Sequence, residues 1–173
     1  MHVIVIAANG PVFCVGHDLK ELTAAGCQLV AACDLAVAAD DAQVATPGIN
    51  IGLYSSTPTV ALTRNIGRKS AMRMLLSGDM MCAEKAHAMG LVRDVAASSD
   101  LTETTMALAR RIAAKSPATP KTGKETFYDQ VEMPLRETCE LAAEVMALNV
   151  PEPDALEGIG AHFERRAPQW NPL

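Results

Sequence analysis

Two short stretches of this sequence place small residues at the start of a helix, where backbone N–H groups lack partners. In residues 13–20, Gly16 ends an apolar segment and Asp18 can cap a helix that begins at Leu19. In residues 24–29, small residues precede a second apolar helix. Unpaired N–H groups at such turns attract negative charge, and two of them aimed at one atom form an oxyanion hole for an ester or thioester. Most junctions of this kind bind nothing, so the pattern alone leaves the chemistry open.

The common catalytic and metal-binding signatures are absent from the sequence. It contains no HExxH, no GxSxG, no Walker loop and no GxGxxG. Its histidines are not spaced as ligands, so we expect no metal site, and a lone histidine is more often a satisfied or exposed side chain than a catalyst. Ser55 and Ser56 are more often part of a helix cap than of a binding site, because serine favours caps. A role for them in binding an acyl group or a water stays open.

Composition places the chain among folded proteins with an acidic surface. The 173 residues are 49% apolar and 20% charged, which excludes disorder as the main state. Aromatic residues make up 3%, so Ala, Val, Leu, Ile and Met must fill the core, which favours Ala-rich helices packed closely together. The net charge of −5 argues against a nucleic-acid partner. No run of about 18 apolar residues is present, so we expect no membrane span.

The five cysteines indicate a reducing compartment. They are odd in number and lack CxxC spacing, so free thiols explain them better than a disulfide framework or a zinc site. The first ten residues, MHVIVIAANG, lack the basic flank and the cleavage site of a signal peptide. We therefore predict a cytoplasmic location of the bacterial type.

Apolar patterning predicts a mixed α/β region followed by helices alone. Strands are predicted at 3–8, 34–39 and 91–95, and a short strand or turn at 49–53. Helices are predicted at 19–33, 59–65, 69–77, 83–89, 101–115, 120–130, 135–148 and 154–165. Pro117 and Pro120 mark a boundary, since proline interrupts helices. We predict an α/β core over residues 1–116 and a helical region over 117–173.

The sequence resembles the crotonase, or enoyl-CoA hydratase/isomerase, superfamily over nearly all of its length. FCVGHDLKEL (13–22) and AAGCQLVAACDLAVA (24–38) look like its two signature blocks, and residues 45–53 resemble its third block. Residues 67–95 are similar to its helix–turn–helix–strand segment, and residues 154–170 to its closing helix. The wording of the first two blocks is especially similar to one subgroup of the family.

The resemblance implies a fold, a ligand and a set of contact residues. The fold is an α/β spiral of β-β-α turns, whose C-terminal helices build a homotrimer or a dimer of trimers. The ligand is a coenzyme A thioester, bound as substrate rather than as a permanent cofactor, and its acyl carbonyl accepts N–H bonds from His17 and Ala25. The implied substrate-contacting residues are Val15, Asp18, Leu19, Lys20, Gly26 and Pro47, whereas Ser55 and Ser56, the further candidates, stand in a stretch that is Gly-rich in the family and altered here. Val15 and Leu19 would flank the pantetheine and the adenine, whereas Lys20 is near the phosphates or, equally, exposed on its helix.

Two departures from the family pattern affect catalysis. Hydratases of this family use two glutamates to activate and deliver water, and these positions match Gln28 and Gly48 here. Glutamine does not titrate near neutral pH, and glycine has no side chain. General acid–base catalysis contributes roughly 10²–10⁴-fold, so we expect hydration to be severely weakened. His17 could supply a base, although the family role of that position is a backbone one.

A third departure concerns the continuity of the chain. In the family, several tens of residues separate the two signature blocks, whereas Leu22 is joined directly to Thr23 here. The early strands of the family are also missing before Met1. We therefore expect a chain that lacks N-terminal and internal segments, either through deletion or because the printed sequence omits them. With a covalent join, the fold must rearrange for the N–H groups of His17 and Ala25 to face one oxygen.

Three functions fit these observations. The leading one is an acyl-CoA or enoyl-CoA thioester-binding protein with a backbone oxyanion hole and weak or lost hydratase activity. The second is a non-catalytic oligomeric scaffold that has kept the family shape and lost the ligand. The third is a different CoA-ester isomerase or hydrolase that uses His17, Ser55 or Ser56.

Overall fold

The computed structural model describes residues 3–8 and 26–171 of the chain. They fall into two compact units, one formed by residues 5–107 and the other by residues 108–171 together with residues 3 and 4. The helix Leu101–Ala113 contains the boundary. The predicted division into residues 1–116 and 117–173 stays a prediction.

The first unit combines short helices with very short strands. Its elements are α1 Gly26–Ala32, β1 Val37–Ala39, β2 Gln43–Val44, the 3₁₀-helix Pro47–Ile51, α2 Ser56–Asn65, α3 Arg68–Ser77, β3 Met81–Cys82, α4 Ala83–Ala88 and β4 Asp94–Ala96. β1 and β4 pair in parallel, with Val37 opposite Asp94. β2 and β3 pair antiparallel, with Gln43 opposite Cys82. Two-stranded sheets are marginal alone, so helix packing must hold this unit together.

Small and aliphatic side chains form the core of the first unit. Leu62 on α2 and Ala71 on α3 are completely buried, and Met74 and Leu75 beside them are nearly so. The buried cluster contains no aromatic side chain among the residues that the structure describes. The expectation that aliphatic side chains and alanine fill the core is thereby confirmed. Alanine brings helix backbones close together, which compensates for the missing aromatic volume.

α3 ends where Gly78 adopts a left-handed conformation with φ +64°. The Gly78 N–H donates to the Met74 carbonyl at 3.1 Å, which satisfies one of the last carbonyls of the helix. A Cβ at this position would lie 2.8 Å from Ile49 Cγ2. Glycine is therefore needed twice here, for its positive φ and for the close approach of the 3₁₀-helix.

The second unit is helical, and polar bonds connect its parts. It contains the end of α5 Leu101–Ala113, then α6 Ala118–Gln130, α7 Leu135–Asn149 and α8 Pro153–Glu164. Buried Asp154 on α8 accepts a hydrogen bond from Ser116 Oγ at 2.5 Å and two from Asn171 at 2.9 Å each. Trp170 Nε1 donates to the Ala114 carbonyl at 3.0 Å. Trp170 and Asn171, which follow α8, are thus held against the unit by hydrogen bonds.

Many large apolar side chains of this unit are exposed. Neither α6 nor α7 contains a buried residue. The large exposed apolar residues of the unit are Ile4, Phe127, Tyr128, Val131, Met133, Leu135, Met146, Leu148, Val150, Leu156, Ile159 and Phe163. Packing within the unit therefore buries only some of its large apolar side chains.

The predicted helices after residue 58 are confirmed to within a few residues at each end. The strand predicted at 34–39 is confirmed at Val37–Ala39, and the one at 91–95 is displaced to Asp94–Ala96. For residues 49–53 the structure shows a turn, the 3₁₀-helix Pro47–Ile51. Of the predicted helix at 19–33, residues 19–25 lie outside the described ranges, and the remainder is Gly26–Ala32.

The buried strand predicted at residues 3–8 is wrong. These residues have no regular secondary structure, and Ile4 and Ile6 are exposed. A β-branched run becomes a strand only when a neighbouring strand bonds its backbone. No strand of residues 26–171 does so.

Candidate ligand site

Gln28 lies on α1, at the position that matches the first family glutamate. Its side-chain oxygen Oε1 is buried and, among the residues that the structure describes, accepts no hydrogen bond. Buried polar atoms are normally bonded, and an orphan is costly to the fold unless a ligand or water pairs with it. Among the described residues, Gln28 is therefore the one with a buried side-chain oxygen that lacks a hydrogen-bond partner.

The residues around Gln28 anchor α1 in the core. Gly26 and Cys27 are buried, and burial raises the pKa of the Cys27 thiol to about 11. The thiol is therefore neutral at physiological pH and packs as an apolar side chain. Asn65 Nδ2 on α2 donates to the Ala31 carbonyl at 2.8 Å, which ties the end of α1 to α2.

The loop that carries Pro47 and Gly48 is fixed to α3. Thr46 is 1% exposed, and its hydroxyl donates to the Met74 carbonyl at 2.8 Å. Pro47 begins the 3₁₀-helix and is exposed, whereas Gly48 is half-buried. Nothing in the sequence reasoning singled out Thr46. A threonine directly before Pro-Gly is the signal that could have found it, because its hydroxyl can bond backbone groups at a turn.

Gly48, which the resemblance assigns to the second family glutamate, has no room for a side chain. The Leu53 N–H donates to the Gly48 carbonyl at 2.9 Å, which folds the chain back on itself. A Cβ at Gly48 would lie 2.8 Å from the Leu53 carbonyl oxygen and 3.0 Å from Ser55 Oγ. Backbone atoms cannot yield as the end of a side chain can. The turn therefore leaves no space for a side chain at Gly48, and the Ser55 hydroxyl lies beside it.

Ser55 and Ser56 occupy different environments. Ser55 is 8% exposed and stands at the N-cap position of α2, yet its side chain makes no capping bond. Its carbonyl instead accepts bonds from the Thr59 N–H at 3.1 Å and the Thr59 hydroxyl at 2.8 Å. Ser56 is exposed as the first residue of the helix. Of the two serines, Ser55 is the one whose hydroxyl faces the Gly48 turn.

Six of the sequence-predicted site residues lie outside the described ranges. They are Val15, His17, Asp18, Leu19, Lys20 and Ala25. The oxyanion pair of His17 and Ala25 and the coenzyme A contacts therefore stay predictions. The structure does bring Gly48 and Ser55 together.

Two further features of the described residues bear on ligands. Residues 3–8 and 26–171 contain no cluster of three or more His, Cys, Asp or Glu side chains that could hold a metal ion. In the same ranges, no helix has the length and apolar character to cross a membrane.

Comparison with known proteins identifies the family, whose members act on coenzyme A thioesters. The family described as enoyl-CoA hydratase/isomerase matches residues 22–172. The chain therefore belongs to the enoyl-CoA hydratase/isomerase family, which confirms the resemblance read from the sequence. Its mostly helical structure with few strands fits the α/β fold of that family.

The similar proteins include the subgroup that the signature blocks indicated. Enoyl-CoA hydratase domain-containing protein 3, mitochondrial, of Homo sapiens is 39% identical over 209 residues, which cover 99% of this chain and 69% of the relative. The crystal structure of the human protein matches with a TM-score of 0.94 at 39% identity, over 98% of this chain and 82% of that one. The crystal structure of an enoyl-CoA hydratase of Mycobacterium smegmatis matches with a TM-score of 0.82 at 47% identity, over 84% of this chain. The match spans 56% of the mycobacterial chain.

The predicted cytoplasmic location is wrong. The similar proteins of Homo sapiens, Mus musculus and Rattus norvegicus are all named mitochondrial, which points to mitochondria instead. The cysteine pattern could not separate the two locations. Free thiols favour a reducing compartment but do not distinguish one reducing compartment from another.

Proposed function

We propose that this protein binds acyl-CoA or enoyl-CoA thioesters and that it hydrates enoyl-CoA weakly or not at all. The observation that carries this proposal is the closed turn at Gly48, where the Leu53 carbonyl and Ser55 Oγ leave no room for a catalytic side chain. Family membership supports coenzyme A thioesters as the ligand class.

The expected carbonyl-binding groups are the backbone N–H groups of His17 and Ala25. Aimed at the thioester oxygen, they stabilise negative charge on it without any side chain.

The human relative aligns over 209 residues, more than the 173 of this chain, so it has residues where this chain has none. This supports an interrupted match of the kind that the join between Leu22 and Thr23 predicts. An intact mass near 18.3 kDa would establish the short chain, and a value well above it would show that the printed sequence omits residues.

Loss of hydration follows from the two replaced positions. Gln28 can hold a water or a ligand by hydrogen bonding, but it can neither take nor give a proton near neutral pH. At Gly48 no second group is available, and the hydroxyl of Ser55 is too weak an acid and base to replace a carboxylate. The protein is therefore expected to bind the thioester and polarise its carbonyl without transferring a proton.

Calorimetric titration with butyryl-CoA tests the binding half of the proposal. We expect saturable binding that free coenzyme A competes for, because both share the nucleotide and pantetheine. Absence of binding at millimolar ligand would contradict the proposal and favour the alternative of a scaffold without a ligand.

We further propose that three copies of the chain assemble through the helical region 117–173. The exposed apolar residues of α6, α7 and α8, including Leu135 and Phe163, support this, since large exposed apolar surfaces mark interfaces. Sedimentation velocity should give a species of three or six chains. A stable monomer at micromolar concentration would contradict both this assembly and the scaffold alternative.

A further inference from the structure

A cavity of about 350 Å³ in the first unit is lined by α3, by α4 and by residues that connect these two helices. From α3 it receives Arg73, Met74 and Ser77, and from α4 Lys85 and Ala88. Residues three or four apart share one face of a helix, so each helix turns a single face toward the cavity. The volume is at the lower end of the range for small-molecule sites, about 300–1,000 Å³.

Methionines form most of the apolar lining of this cavity. Met74 and Met81 are buried, Met89 is half-buried and Met80 is exposed. Four of the nine methionines of the chain thus meet at one place, which is more than chance packing requires. Methionine is unbranched and polarizable, and it adapts its shape to irregular apolar partners. The lining therefore suits a flexible hydrocarbon chain.

Two cations accompany the methionines. Arg73 and Lys85 are exposed residues of the lining, and neither forms an ion pair with a residue that the structure describes. Asp79 is the third charged residue of the cavity, so the lining is net positive in a chain whose net charge is −5. A local excess of positive charge attracts an anion. The cavity thus combines an apolar wall with a preference for negative charge.

We infer that this cavity binds the anion of a medium-chain fatty acid, with the hydrocarbon chain against the methionines and the carboxylate at Arg73 and Lys85. A single carboxylate matches a lining in which cations exceed carboxylates by one. The inference does not depend on thioester binding, because no residue assigned to the thioester site lines the cavity.

Calorimetric titration of the full chain with sodium octanoate tests the inference. We expect saturable binding to one site. Octan-1-ol has a chain of the same length without the charge, and it should bind about tenfold more weakly because it cannot pair with the two cations. Equal affinities for octanoate and octan-1-ol would contradict the role of Arg73 and Lys85.

Variants of the lining locate the bound anion. Arg73→Gln and Lys85→Gln should each weaken octanoate binding about two- to fivefold, as expected for exposed ion pairs. Arg68→Gln is the matched control, since Arg68 is also exposed on α3 but does not line the cavity, and its affinity should stay within about 1.5-fold of wild type. Ala88→Phe places a ring in the cavity and should weaken binding at least about tenfold. Octanoate affinity that is unchanged in both glutamine variants would overturn the inference.

Competition with butyryl-CoA separates this cavity from the thioester site. The octanoate dissociation constant should change by less than about twofold when butyryl-CoA is saturating. Displacement of octanoate by butyryl-CoA would assign it to the thioester site and overturn the inference. If butyryl-CoA does not bind at all, the proposed function fails, whereas the octanoate titrations and the variants still decide the inference.

Discussion

The two units of this chain bury their apolar residues to very different extents. In residues 5–107, Leu62, Met74 and Leu75 are almost completely buried in one cluster. In residues 108–171, α6 and α7 bury no residue, and Leu135 and Phe163 are about four-fifths exposed. The first unit closes a core of aliphatic side chains, whereas the second buries few of its apolar residues and has hydrogen bonds that connect its segments.

This difference indicates a division of roles between the units. A closed core fixes α1, the Gly48 turn and α2, which a binding site requires. An exposed apolar surface on helices does not help to position a binding site within one chain, but such surfaces commonly form contacts between chains. The predictions below test each side of this contrast.

The largest effect is expected from truncation of the core of the first unit. Leu75→Ala removes a side chain that is 1% exposed and should lower the free energy of unfolding by about 2–5 kcal/mol. Its neighbour on α3, Leu76, is 57% exposed, so Leu76→Ala should change the free energy by less than about 0.5 kcal/mol. Urea denaturation measures both. Equal losses in the two variants would contradict the burial pattern of α3.

An intermediate effect is expected at the closed turn. Gly48→Ala forces a methyl group against the Leu53 carbonyl and should destabilise the protein by about 1–3 kcal/mol. Gly123, within α6, has nothing near its missing Cβ. Gly123→Ala should therefore stabilise the protein by about 0.5–1 kcal/mol, since alanine restricts the unfolded chain and favours helix.

Denaturant titration of these two alanine variants is again the measurement. Opposite signs are expected. A Gly48→Ala variant as stable as wild type would show that the position tolerates a side chain, and the argument for a closed glutamate site would be lost.

A smaller effect is expected from acid on the polar ties of the second unit. N–H bonds from Asn171 and the Ser116 hydroxyl hold the pKa of Asp154 below its ordinary value. The Arg166 guanidinium and the Gln169 N–H lower the pKa of Glu157 from 4.5 to about 2. A carboxyl whose pKa is depressed by folding stabilises the native state above its unfolded pKa and loses that contribution as pH falls toward the folded value. Stability should therefore be level near neutral pH and fall between about pH 4.5 and 2.

Trp170 offers a local readout for this acid transition. It is the single tryptophan of the chain and lies against Gly158 of α8, in the second unit. In thermal unfolding followed by Trp170 fluorescence, the midpoint temperature should fall as the pH is lowered through that range. Asp154→Asn should flatten part of the slope, and an unchanged slope in this variant would assign the acid sensitivity to other carboxylates.

The sequence alone was sufficient to predict the helices but not to predict the strands. Residues 69–77 carry a clear helical period, and α3 formed almost as predicted. Residues 3–8 carry a clear strand composition, but a strand depends on a partner that local sequence does not contain. The two-residue strands Gln43–Val44 and Met81–Cys82 are too short to leave any pattern.

The candidate site was predictable in chemistry but not in geometry. The family resemblance alone assigns Gln28 and Gly48 to the two glutamate positions, and that assignment stays a prediction. The approach of the Leu53 carbonyl and Ser55 Oγ to Gly48 depends on how the turn folds back, which no periodicity encodes. That Gln28 Oε1 accepts no hydrogen bond from a described residue likewise depends on the folded structure and on no local pattern.

The most direct test of whether this protein has lost proton transfer is the hydration of crotonyl-CoA, monitored through the decrease in its ultraviolet absorbance. Measured beside a family hydratase that has both glutamates, this protein should turn over at least about 10²-fold more slowly, because it lacks general acid–base groups at both positions. A rate within about tenfold of that hydratase would contradict the account, since another group would then have to supply the proton.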